Sequence, residues 1–182
     1  MAAKKVKEEA IFTNEKKEEF LNCDTIEKLK TFLDNYDIKG VDKFGNNILH
    51  YYLNNEQSFK LKWDKAIPEI LNRGLDINAK QSTGQFGRSP LHLSVFCQRK
   101  EITEYLINSG ADVNSRDAYG KTVLSVAVSR YCYLEQDGFF IELLINRGAD
   151  VYLENNYGIS AISLARNIEN YDVAKYFEQF DK

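Results

Sequence analysis

"FGRSPLHLSV", residues Phe86 to Val95, places a serine, a proline and a histidine side by side. Such a run is either a catalytic corner, with a hydroxyl beside an imidazole, or a piece of scaffold. Three sister segments decide between them: "FGNNILHYYL" (Phe44 to Leu53), "YGKTVLSVAV" (Tyr119 to Val128) and "YGISAISLAR" (Tyr157 to Arg166). All four read aromatic, Gly, any residue, a small hydroxyl or amide residue, any residue, then Leu or Ile. A second block follows in order: "ILNRGLDIN" (Ile70 to Asn78), "LINSGADVN" (Leu106 to Asn114) and "LINRGADVY" (Leu144 to Tyr152). Gly87 and Gly120 stand 33 residues apart. A period of this size is the mark of a stacked repeat.

Each slot has a mechanical reading. Asn47, Ser89, Thr122 and Ser160 are all helix N-cap types, able to accept a bond from an otherwise orphaned backbone N–H. Pro90 follows at the first helical position, where its missing N–H costs nothing. Leu49, Leu91, Leu124 and Ile162 are expected on the inward face, and Gly74, Gly110 and Gly148 at the ends of second helices, where a left-handed residue is wanted. "DIN", "DVN" and "DVY" then lead into a tight reversal, or finger. One such unit cannot bury its apolar face alone, so neighbours must stack.

On these motifs the chain resembles ankyrin-repeat proteins, whose repeat carries a T-P-L-H signature. "SPLHLSV…GADVN" is close to that pattern, and the blocks run from about Thr25 to Phe180. The resemblance implies an all-α solenoid of about four recognisable repeats plus a degenerate N-terminal capping unit. Approximate units are 15–41, 42–83, 84–116, 117–154 and 155–182, with residues 1–14 an exposed helix or tail. In the capping unit Ile26, Leu29, Phe32 and Leu33 form a helical apolar stripe behind Asp24 or Thr25, with Glu15 to Cys23 as partner helix. Val173, Tyr176 and Phe177 are expected to face inward in the last unit. Two units exceed the period: Gly45 to Gly87 spans 42 residues and Gly120 to Gly158 spans 38. Their extra residues fall around Asn55 to Trp63, Asn78 to Gly87 and Ser129 to Gly138. Such insertions are either tolerated surface drift or a functional face.

The totals agree with a protein that stays in water. Apolar residues make up 43% of the 182 and charged residues 28%, with a formal net charge of −3. That charge argues against a dedicated nucleic-acid binder. No apolar run has membrane length, and no signal-type stretch follows the basic start. A cytoplasmic chain, monomeric when free, is the expectation. Cys23, Cys97 and Cys132 are scattered and odd in number, so neither a disulfide framework nor a zinc site is expected. Abundant Asn, Lys, Ile and Tyr suggest AT-rich coding, as in a bacterium or virus.

No chemistry announces itself. His50 and His92 share one slot; the resemblance implies hydrogen bonding within and between repeats, a duty Ser125 and Ser163 could perform in part. A general base or metal ligand would need a nucleophile, a carboxylate or further ligands at set distances. The glycines stand singly at turns and form no phosphate loop. No catalytic residue, metal or cofactor is expected.

By resemblance, such arrays bind proteins through finger tips and the exposed side of the first helices. Four aromatics precede the motif glycines, Phe44, Phe86, Tyr119 and Tyr157, and would form a ladder; aromatics are frequent hot spots. Lys43, Lys80, Arg88, Arg116 and Lys121, with Lys39 beside them, make the finger edge basic against the nearby acids Asp42, Asp117 and Glu154. Asn46 and Gln85 complete the edge, while Phe96, Arg130 and Asn167 should line the wall. Phe59, Trp63, Tyr131 and Tyr133 lie in or near the insertions. The expected partner is a protein with an acidic patch, not nucleic acid or membrane. The chain reads as a small free-standing array, and such arrays resemble predicted bacterial immunity proteins that occlude a toxin. A host-directed effector or adaptor is the alternative.

Overall fold

The computed structural model describes residues 12–83, 86–131, 138–168 and 172–180. Among these residues there are nine α-helices and no long strand, and no helix is long and apolar enough to cross a membrane. The expectations for residues 1–11, for Gln85 and for Cys132 and Tyr133 lie outside the described residues. The chain divides into two compact units, Met1–Leu75 and Asp76–Lys182.

The first unit pairs α1 (Asn14–Leu21) with α2 (Ile26–Asp34), and α3 (Ile48–Asn55) with α4 (Trp63–Asn72). Thr13, Thr25 and Asn47 cap the first three helices by accepting from Lys16, Lys28 and His50 backbone N–H groups. Its core is aromatic. Phe20 stacks on Phe32 at 5.5 Å between ring centroids, Phe12 meets Tyr51 edge-on at 5.2 Å, and Tyr52 is fully enclosed. The first insertion belongs to this core: its 3-10 turn, Glu56–Ser58, swings Phe59 to 4.6 Å from both Phe20 and Tyr52. Tyr52 then donates its hydroxyl to the Leu61 carbonyl at 2.9 Å. The extra residues around Phe59 are therefore a plug over rings too large for a short loop to seal.

The second unit stacks helix pairs in two rows. α5 (Pro90–Phe96), α7 (Val123–Tyr131) and α9 (Ala161–Asn167) pack in sequence along one row. Behind them lie α6 (Lys100–Asn108), α8 (Phe139–Asn146) and a 3-10 segment, Asp172–Phe180, each against its own first helix. Leu91, Ile102, Leu106, Leu124, Leu144 and Ile162 fill the space between. Val173 and Phe177 are buried in the last segment while Tyr176 is half-buried.

Register between repeats is set at the fingers. The Ala118 N–H donates to the Phe86 carbonyl at 2.7 Å, and the Asn156 N–H to Tyr119 at 3.0 Å. A parallel ladder runs through asparagine side chains: Asn78 accepts from the Asp112 N–H and Asn114 from the Asp150 N–H. Tyr152 takes the next slot, and its hydroxyl donates to the Phe180 carbonyl instead. Gly87 and Gly120 are required twice over. Both have positive φ, and a Cβ at either would press on the following finger, at Ala118 or Asn156.

Phe59→Ala is expected to lower the stability of the first unit by about 2 kcal/mol, below the cost of a fully enclosed phenylalanine because Phe59 is only half-buried. Urea unfolding followed by near-UV circular dichroism measures it. A change within error would mean the insertion is not part of the core.

Candidate protein-binding surface

The Ser–Pro–Leu–His corner is built like a nucleophile and used like a bolt. Ser89 Oγ lies 2.8 Å from His92 Nδ1, but both residues are sealed, at 1% and 0% exposure. Ser89 Oγ also accepts from the His92 backbone N–H, closing a capping box on α5. The other ring nitrogen, Nε2, donates to the Lys121 carbonyl of the next repeat at 3.1 Å. These partners fit a neutral ring, and burial pushes its pKa down to about 4, only partly opposed by the Lys121 bond. Asn47 and His50 repeat the local cap in full, and Thr122 with Ser125 and Ser160 with Ser163 repeat it with hydroxyls alone. Among the described residues no group of three or more His, Cys, Asp or Glu side chains could hold a metal ion.

The finger tips are made by acids and amides, among them Asp42 and Asp117 of the expected edge. Asp117 Oδ1 accepts from the Tyr119 and Lys121 N–H groups, both at 2.9 Å, and the Asp117 N–H returns to the Lys121 carbonyl. Asp42 does the same for Phe44 and Asn46, and Asn155 for Tyr157 and Ile159. Gln81 serves the finger carrying the extra residues, exchanging bonds with Arg88. Asp42 and Asp117 are consequently buried at 6% and 7%. Burial alone would raise the Asp42 pKa, but the Lys17 ammonium at 2.7 Å and the finger N–H groups hold it below the ordinary value. The exposed edge is thus more basic than its composition implied.

The expected contact residues divide accordingly. Asn46 is a correction: it is buried, and its amide donates to Asp42 rather than facing outward. Arg116 braces two fingers, with Nε donating to the Gly120 carbonyl and Nη2 to that of Glu154. In the first unit Lys43 is exposed and its ammonium lies 5.0 Å above the exposed Phe44 ring. Lys39, Lys80 and Lys121 are exposed, as is Tyr157 at 69%. The aromatic ladder is only partly realised: Phe86 and Tyr119 approach at 6.3 Å, but Tyr157 makes no ring contact among the described residues.

What the second unit does bring together is a stack. The Arg88 guanidinium lies 4.5 Å over the Phe86 ring and 4.4 Å over Phe96; Arg130 lies 4.8 Å over the same Phe96. Phe86 is 45% exposed and Phe96 36%. Each guanidinium–ring contact is worth about 0.5–1 kcal/mol at an exposed site, more when desolvated. Burial holds the Arg88 pKa below its ordinary value, and the like charge of Arg130 adds to the effect. Cys97, next to Phe96 in the chain, is half-buried; burial raises its thiol, while Arg99, Arg130 and Arg88 pull the other way. The sequence reading missed Ile159, exposed at 41% beside Tyr157 in the slot held elsewhere by Asn46, Arg88 and Lys121. An apolar residue in a slot otherwise polar was the available signal.

A family model described as ankyrin repeats in three copies matches residues 19–117 and again 62–155. The chain belongs to the ankyrin-repeat family. The family is a protein-interaction fold, and the chain is a protein-interaction module of this kind. It is 31% identical to human Rabankyrin-5 over 83 residues, 41% of this chain and 7% of that protein. It is 31% identical to the chicken nuclear factor NF-kappa-B p105 subunit over 88 residues, 48% of this chain and 9% of that one. A putative ankyrin repeat protein of fowlpox virus, FPV230, is 31% identical over 81 residues, 44% of this chain and 39% of its own length. The chain thus spans a small part of the relatives it matches.

A neutral, buried His92 makes this ankyrin array sensitive to acid. Its folded-state pKa lies below the unfolded value, so the unfolded chain takes up the proton first as pH falls. Its contribution is complete above about pH 6.5 and declines toward pH 4, by at most roughly 3 kcal/mol. Urea midpoints measured between pH 7 and pH 4.5 should fall more steeply for the native chain than for His92→Asn. Parallel slopes would show that His92 does not titrate as its burial requires.

Proposed function

We propose that this ankyrin module engages its partner through the finger tips and first helices, with the Phe86, Arg88, Phe96, Tyr119 and Arg130 cluster at the centre of the contact. The observation that carries this is the stack itself: exposed rings held rigid by guanidiniums on a packed frame. Pre-ordered aromatic and arginine side chains make the best anchors, because little side-chain entropy remains to be lost on binding. Lys80 and Lys121 would form the polar rim, and Tyr157 an outlying contact. In the first unit Lys43 and Phe44 would form a second contact. A basic edge on a chain of net charge −3 favours a partner with an acidic patch, drawn in by local charge.

The biological role we favour is neutralisation: a cytoplasmic immunity protein that covers a cognate toxin. Occlusion needs a rigid surface burying on the order of 1,600 Å² and no chemistry. A second reading, a host-directed effector or an adaptor that recruits another protein, draws equally on the protein-interaction fold of the family.

Affinity capture with mass spectrometry, followed by titration of the captured protein, tests both levels. Phe86→Ala with Tyr119→Ala should keep the fold and weaken binding by more than about 2 kcal/mol, the range of a hot-spot pair. Unchanged affinity would remove the cluster from the interface. If the captured protein arrests growth when expressed alone and the chain relieves it, the neutralising role stands; a harmless partner would transfer support to the adaptor.

A further inference from the structure

Arg130 closes α7 and lies half-buried over Phe96. Its Nε–H is buried without an acceptor, and among the described residues no carboxylate pairs with it. A buried donor left unmade costs about 1–3 kcal/mol. A second cation, Arg88, is stacked over the same ring, so two like charges are held around one phenylalanine. For the free chain this is an unfavourable arrangement on an otherwise acidic molecule of pI about 5.5. It becomes favourable when an anion arrives from outside.

We infer that Arg130, backed by Arg88 and Phe96, receives a single carboxylate side chain of the protein partner, flanked there by an apolar group that covers Phe96 and Phe86. This rests on the protein-binding reading above and adds what the partner must present. The planar guanidinium fork matches a carboxylate with two parallel bonds, and stacking on the ring holds the fork in place. Phosphate would match the fork too. However, a nucleic-acid backbone is bound by rows of cations on a basic surface. Here the cations converge on one point beside two exposed rings, in a chain of net charge −3. An acidic residue next to an aliphatic or aromatic one satisfies both halves of the site.

The test pans a random peptide library displayed on phage against the whole chain, then titrates the tightest peptide, fluorescein-labelled, by anisotropy. Recovered peptides should share a Glu or Asp beside an apolar residue. Arg130→Gln should weaken the titrated peptide at least about tenfold, and Arg130→Lys should recover only part, since it restores the charge without the fork. The thermal midpoint of Arg130→Gln should equal or exceed that of the native chain, because the substitution removes a like-charge repulsion; a marked drop would make Arg130 a structural residue and overturn the inference. Peptides without acids, or peptides indifferent to Arg130→Gln but lost with Phe86→Ala and Tyr119→Ala, overturn it while leaving the binding reading intact. Recovery of no peptide counts against both. Labelled oligodeoxythymidylate that binds the native chain and not Arg130→Gln would assign the site to phosphate and overturn it as well.

Discussion

The bond from the Ala118 N–H to the Phe86 carbonyl fixes the height of one repeat above the next in the second unit. It forms because Gly87 carries no side chain, so the fingers can touch backbone to backbone, as Gly120 allows at the next joint. His92 adds a second bond across the same joint, reaching the Lys121 carbonyl from inside the core. With the joint set this way, α5 and α7 lie against each other and their leucines and valines close the core. Specificity for a partner then has to reside in side chains that the joint leaves outside.

Those outward side chains are organised by the same joint. The Phe86 carbonyl that accepts from Ala118 belongs to the residue whose ring meets Tyr119 and supports Arg88. Arg88 is also the finger residue whose carbonyl accepts from the Gln81 N–H and whose own N–H donates to the Gln81 side-chain Oε1. The exposed stack is thus anchored at its base to the most constrained part of the repeat. Side chains held in this way lose little freedom on binding, which is what the proposed contact requires.

The first unit solves its packing differently. Its core is filled by rings, with Phe12, Phe20, Phe32, Tyr51 and Tyr52 in mutual contact and Phe59 delivered from the insertion. Lys17 lies over the Phe12 and Tyr51 rings and pairs with the buried Asp42, tying α1 to the finger. Buried pairs of this kind contribute little net stability over an apolar pair, yet breaking one partner is expensive. Lys17 and Asp42 therefore specify where α1 sits more than they strengthen it.

The repeat, its caps and its glycines were all legible in one dimension, because period, N-cap chemistry and left-handed turns act on neighbours in the chain. Ser89 as cap and Pro90 as first helical residue followed from comparing four segments, His92 as strut from the resemblance to ankyrin repeats, and the geometry bears them out. What the sequence could not determine was which polar residues face water. Asp42, Asp117 and Asn46 look like surface groups, but a finger tip must satisfy its own N–H groups, and the nearest carboxylate or amide turns inward to do so. Nor could it determine that Phe59 would plug a core or that Arg88 and Arg130 would meet over one ring. Those outcomes depend on the distance between elements far apart in the chain, and only the packed tertiary structure sets that distance.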